Sequence, residues 1–211
     1  MFTKTLLPDT LRAIQLVSPI PTISRAYLAG GTSLALQIGH RMSIDLDFFT
    51  QEKFDENLVA TELSQLTEFK ERSRAWATVL GKVGKTKFSI FYYKPKLIDA
   101  TIPYEGIQLA GKRDIAAMKL LAISDRGLKR DFIDVFILAK EFSLDEMLVF
   151  FEEKYGSLDE KKYILIKGLS YFTDATDDVP KMLIPVDWEE VKEFFRKETK
   201  RLAKEKLGIS I

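Results

Sequence analysis

The 211-residue sequence has no cysteine and a single histidine, His40. The first absence removes disulfide frameworks and thiolate zinc sites and suits a reducing compartment. The second removes any metal centre built on several imidazoles. A dominant charge is missing too: 32 Lys and Arg against 31 Asp and Glu leave a formal net charge of +1, so contact with a polyanion has to come from a local patch. No run approaches the ~20 apolar residues of a membrane span, and Met1 to Leu7 carries only scattered apolar residues rather than an export segment. The expectation is a cytoplasmic protein without membrane association. There is no internal repeat or low-complexity tract. With 46% hydrophobic residues the chain can bury a sizeable core, as one domain or two small joined ones.

What is present is concentrated between Gly30 and Phe49, in the run GGTSLALQIGHRMSIDLDFF. Ala26 to Ala29 read as a short buried strand that Gly30 and Gly31 break. Thr32 is placed to cap a helix running to about Ile38, which Gly39 ends. From Ser43 to Phe49 the pattern alternates, with Ile44, Leu46 and Phe48 on one face and Asp45 and Asp47 on the other. A glycine-preceded helix start offers backbone N–H groups and the positive end of the helix dipole to a phosphate chain. Paired aspartates offer hard oxygen ligands to Mg²⁺. Each half alone also reads as an ordinary helix cap or a solvated acidic turn; their combination at this spacing points to a phosphate and metal site. This strand, glycine turn, helix and Asp-x-Asp strand resembles the minimal core of the nucleotidyltransferase superfamily.

Elsewhere the chain reads in two parts. Leu11, Ile14, Leu16 and Val17 mark a helix after Pro8, and Leu58, Val59, Leu63 and Leu66 mark another within Asp55 to Phe69. Ala75 to Leu80 and Thr86 to Tyr93 read as a hairpin turning through Gly81 to Gly84, and the aromatics of its second strand suit either a core or the flank of a base. Lys94 to Leu109 reads as an irregular connection. The expected boundary follows it, giving a core at residues 1–110 and a helical C-terminal domain at 111–211 that completes a cleft. Helices are predicted over Asp114 to Ile123, Arg130 to Glu141, Leu144 to Tyr155, Tyr163 to Phe172 and Trp188 to Leu207, with an acidic loop at Asp174 to Asp178. The fold class is α+β, a mixed sheet with flanking helices followed by a mostly helical part.

The run from Lys112 to Leu138 holds a second constellation. Lys119 follows Ala116 and Ala117, and Asp131 and Asp134 share one helix face. By residue type these three suit helix salt bridges with Arg126, Lys129 or Arg130 as well as a site. Together with Gly30-Gly31-Thr32, Gly39-His40-Arg41 and Asp45-Leu46-Asp47-Phe48-Phe49, the runs Asp114 to Lys119 and Lys129 to Asp134 resemble the AbiEii family of nucleotidyltransferase-like toxins, over about Gly30 to Leu138.

That resemblance implies binding of a nucleoside triphosphate with Mg²⁺, Gly30, Gly31 and Thr32 at the phosphates and Asp45 and Asp47 at metal. It also implies Lys119 at the phosphates, Asp131 or Asp134 completing the site, a tRNA acceptor end or a protein as acceptor, and a separately encoded antitoxin. One departure stands out. Many nucleotidyltransferases carry a third metal-binding carboxylate on a later strand, but Lys87 to Tyr93 contains none. A non-catalytic nucleotide-binding module, or an antitoxin-type enzyme that modifies a partner protein, are the alternatives. Arg41 suits a phosphate or a neighbouring acid, and His40 suits a structural hydrogen bond. Lys192 to Lys206, with seven basic and three acidic residues, reads as a solvated helix face or an RNA-backbone contact.

Overall fold

The structure, a computed structural model, describes residues 1–158, 161–175 and 180–209. The chain divides into two compact units, Met1–Gly111 and Lys112–Ile211. Among the described residues no helix is long and apolar enough to cross a membrane.

In the first unit α1 (Pro8–Val17) and α2 (Pro21–Ser24) precede β1 (Tyr27–Leu28), α3 (Gly30–Ile38), β2 (Leu46–Thr50) and α4 (Glu56–Ser64). Five more strands follow: β3 (Phe69–Ala75), β4 (Thr78–Val83), β5 (Thr86–Tyr92), β6 (Ile102–Tyr104) and β7 (Ile107–Leu109). They form one sheet in the order β3-β4-β5-β2-β1-β7-β6. It is mixed: β2 runs parallel to β5 and β1 parallel to β7, while the remaining neighbours are antiparallel. One face supplies the core. Leu28, Leu46, Phe48, Val79, Val83, Phe88, Ile90, Ile107 and Leu109 are buried with Ile14 and Val17 of α1 and Val59 and Leu63 of α4. Because side chains alternate along a strand, the residues between them project from the opposite face. These include Asp47 and Phe49 on β2 and Ser89 and Phe91 on β5, with Phe49 stacked on Phe91 at 5.4 Å.

Several expectations are corrected here. The strand expected from Ser43 begins only at Leu46, so Ile44 is 44% exposed rather than turned inward. β3 was not anticipated: it starts at Phe69, where the expected helix ended, and runs to Ala75; six of its seven residues are exposed, so it carries no readable apolar alternation. The connection from Lys94 to Leu109 contains β6 and β7, joined where Glu105 and Gly106 both take positive φ (47° and 80°), as a tight hairpin turn requires. Gly81 is not a turn residue; it sits within β4 because a side chain there would meet the Lys70 carbonyl and the Phe69 ring at 2.7 Å.

The second unit is helical: α5 (Lys112–Asp125), α6 (Lys129–Leu138), α7 (Leu144–Tyr155), α8 (Lys162–Gly168) and α9 (Trp188–Leu207). A capping box at Ser143 and Glu146 starts α7, and the Asp187 side chain caps α9. Phe132 of α6 is fully buried, with the rings of Phe172 and Phe195 5.0 and 5.1 Å away. Of the acidic loop expected at Asp174 to Asp178, residues 176–178 lie outside the described residues.

Gly81→Ala tests the strand packing: forcing a methyl against the neighbouring backbone should cost about 1–3 kcal/mol and lower the melting temperature. An unchanged melting temperature would contradict the close approach of β3 and β4 at this point.

Candidate active site

Helix α3 opens at Gly30, whose φ of +65° is a conformation that side chains rarely adopt. Its N-cap is Ala29, so Thr32 lies deeper in the first turn than a capping residue. The hydroxyl has another partner. Thr32, 1% exposed, donates to the Asp45 carbonyl at 2.5 Å and lies 2.9 Å from the Ser43 hydroxyl. The Ala29 amide donates to the Asp47 carbonyl at 3.0 Å. Two hydrogen bonds thus draw the glycine turn onto the stretch that carries both aspartates. Gly31 makes room for what covers it, since a side chain there would displace the Arg41 guanidinium and come within 3.3 Å of the Ser43 hydroxyl. Arg41 is 3% exposed and also donates to the Met42 carbonyl at 3.1 Å. His40 is fully buried.

The carboxylates have unlike surroundings. Asp47 pairs in register with Ser89 across the parallel β2–β5 ladder, and the Ser89 hydroxyl donates to Asp47 Oδ1. The other oxygen, Oδ2, faces Gly30, 3.7 Å from where a Cβ would stand. Asp45 Oδ1 is buried and has no hydrogen-bond partner. An unpaired carboxylate oxygen removed from water is unfavourable, and a cation relieves it. A hard divalent ion fits this donor set, with Asp45 Oδ1 and Asp47 Oδ2 as the oxygens left available to it. The set is small: among the described residues no three His, Cys, Asp or Glu side chains gather. Ser89 stands on β5 beside Asp47, within the stretch where the sequence lacked a third carboxylate.

The second constellation also assembles, within the helical unit. Lys119 Nζ lies 2.8 Å from Asp131 Oδ1 and 2.7 Å from Asp134 Oδ2, with side-chain exposures of 5%, 0% and 0%. Arg126 adds contacts to both oxygens of Asp131, at 2.9 and 3.1 Å. Burial raises the Asp131 pKa, but the Lys119 charge and the Arg126 hydrogen bond outweigh it and hold the carboxyl below its ordinary range. The stability this contributes is present above the ordinary carboxylate pKa and is lost as pH falls through the lowered value. Sequence reasoning missed a companion pair: Asp114, in the first turn of α5, meets Lys154 of α7 at 2.6 Å with both side chains fully buried.

With this geometry in place, similarity to known proteins becomes decisive. Residues 21–113 match the family described as the nucleotidyl transferase AbiEii toxin of type IV toxin–antitoxin systems. A protein of Aquifex aeolicus described as uncharacterized is 35% identical over 194 residues, covering 89% of this chain and 93% of that protein. The chain belongs to the AbiEii nucleotidyltransferase toxin family. Two solved structures share the fold of this AbiEii chain. The nucleotidyltransferase toxin MenT4 of Mycobacterium tuberculosis is 18% identical with a TM-score of 0.62, over 92% of this chain and 81% of that one. JHP933 of Helicobacter pylori is 22% identical with a TM-score of 0.54, over 96% and 97%.

Two site features of this AbiEii chain were not anticipated. Ser89 was signalled only by its parity, opposite to Phe88 and Ile90; its pairing with Asp47 needs the β2–β5 register, which spans a long intervening segment. The Thr32 hydroxyl bond depends on a tertiary partner. Lys119, which the family resemblance implied at the phosphates and whose residue type also suited a salt bridge, holds two carboxylates with its ammonium. Lys119→Ala leaves buried carboxylates without that cation, and breaking such a buried pair costs about 3–5 kcal/mol. Scanning calorimetry should therefore show a clearly lowered melting temperature. A variant as stable as wild type would show that the lysine is not part of the structural framework.

Proposed function

We propose that this AbiEii protein moves a nucleotidyl group from a nucleoside triphosphate to an RNA acceptor, the acceptor end of tRNA being the leading candidate, and that a separately encoded antitoxin restrains it. The observation that carries the proposal is the joining of the α3 start to Asp45 and Asp47, with Asp45 Oδ1 buried and unpartnered. Gly30, Gly31 and the first turn of α3 hold the phosphates through backbone N–H groups and the helix dipole. Arg41, packed on Gly31, adds positive charge at that turn. Asp45 and Asp47 are the residues that would hold Mg²⁺. When bound there, Mg²⁺ supplies neutralisation and alignment of the triphosphate for in-line displacement. Ser89 fixes the rotamer of Asp47 by occupying Oδ1, which leaves Oδ2 toward the glycine turn.

The second constellation enters the proposal with a condition. Lys119 meets a phosphate only by exchanging a carboxylate for it, and Asp131 or Asp134 acts as a base only once that pairing loosens. A second reading, a nucleotide-binding module without catalysis, is favoured by one observation: the serine beside Asp47 where the carboxylate set is incomplete.

Incubation with Mg²⁺, total tRNA and each α-labelled triphosphate in turn separates the readings. Label should move into RNA, and Asp45→Ala should reduce that transfer by several orders of magnitude, as for loss of alignment and charge stabilisation together. Label appearing in a co-purified protein would shift the acceptor from RNA to protein and favour the antitoxin-type enzyme. Absence of label from every acceptor, alongside retained nucleotide binding, would favour the non-catalytic module.

A further inference from the structure

The face of the sheet that carries Asp47 also carries a row of like charge. Lys70 of β3 lies opposite Lys82 of β4, and Lys82 lies opposite Lys87 of β5. All three are exposed, and each alternates with residues of the opposite, core face: Phe69, Val83 and Phe88. Among the described residues none of the three side chains has an ion pair or hydrogen bond. The next rung on this face reads Ser73, Leu80, Ser89 and Asp47, so the row lies one rung from the carboxylate that Ser89 holds. Like charges directly opposite one another across a sheet destabilise it. Three in line, without an acidic partner, are retained at a cost to the fold and call for an anion from outside.

We infer that Lys70, Lys82 and Lys87 form a track for the phosphodiester backbone of the RNA acceptor. This inference rests on the nucleotidyltransferase reading above and names where that acceptor lies. At a strand spacing of about 4.8 Å the row is roughly 10 Å long. It starts on β5, beside the β2 strand of Asp47, and runs outward to β3 at the sheet edge. The glycine turn opens α3 directly after β1, and β1 lies on the other side of β2 from β5 and this row. A triphosphate held at the glycine turn therefore has its anchors elsewhere, whereas an acceptor strand with its reacting end at β2 needs a path away from it. On the other basic candidate, helix α9 of the second unit, three of the seven basic residues from Lys192 to Lys206 are held in ion pairs: Lys192 with Glu189, Arg201 with Glu198, Glu205 and Asp145, and Lys206 with Asp145.

The test is binding of a fluorescent RNA hairpin with a single-stranded 3′ end, read by anisotropy over a range of KCl concentrations without nucleotide or Mg²⁺. The triple variant Lys70→Ala, Lys82→Ala, Lys87→Ala should weaken binding at least tenfold at low salt. It should also lower the slope of log affinity against log salt by about 2, from about 0.7 per phosphate contact. Its melting temperature should equal or exceed that of wild type, and Lys82→Glu, set between two lysines, should raise the melting temperature while weakening RNA binding. RNA affinity and salt slope unchanged in the triple variant would overturn the inference and leave nucleotidyl transfer standing. So would loss of triphosphate affinity with RNA binding intact, which would assign the row to the nucleotide. A lowered melting temperature would contradict the premise that the lysines are kept against stability.

Discussion

The first unit depends on two backbone carbonyls. The oxygens of Asp45 and Asp47 accept from the Thr32 hydroxyl and the Ala29 amide, and these bonds tie the start of α3 to the residues whose side chains carry the acidic chemistry. Everything around them serves that closure. Gly30 takes the backbone through a positive φ, Gly31 admits the Arg41 guanidinium, and Leu46 and Phe48 anchor β2 in the core from the opposite face. The stretch that carries the carboxylates is thereby held through its backbone; Asp47 keeps a side-chain contact with Ser89, while Asp45 Oδ1 is left without a partner. A glycine-preceded helix end and an under-coordinated acid are brought together in this way in a chain of the AbiEii nucleotidyltransferase family.

The helical unit treats charge differently. Lys119 with Asp131 and Asp134, and Asp114 with Lys154, are cations and anions buried together. Burying either sign alone is strongly unfavourable, so each partner is needed once the other is present. Here the charges are satisfied within the framework, whereas Asp45 Oδ1 is not. That contrast separates charges paired within the framework from a carboxylate oxygen left unpaired, although both sets share the same amino-acid types.

How much of this was legible follows from which interactions are local. The alternation of Leu46, Asp47 and Phe48 announced a strand with an acidic face, and the Gly-Gly pair announced a turn into a helix, because both are encoded within a few residues. The C-terminal helices were legible for the same reason, with caps at Ser143 and Asp187. β3 was not, since its exposed residues lack a buried face to set a period. β6 and β7 were hidden by their brevity and by Pro103. Gly81 looked like a turn because the sequence does not show that Phe69 and Lys70 press against it. Asp45 and Asp47 stood out as candidates only through their spacing taken together with the glycine turn. The Ser89 bond, the Thr32 bond and the facing lysines required the register of strands far apart in the chain.

The central claim is that the glycine turn and the two aspartates act jointly on a triphosphate through a divalent ion. Calorimetric titration of nucleoside triphosphate with and without Mg²⁺, in wild type, Asp45→Asn and Asp47→Asn, addresses it without any acceptor. The account predicts binding that strengthens with Mg²⁺ in wild type and loses that dependence in both variants. Equal affinity in all three proteins with or without the metal, or no binding in any of them, would contradict it.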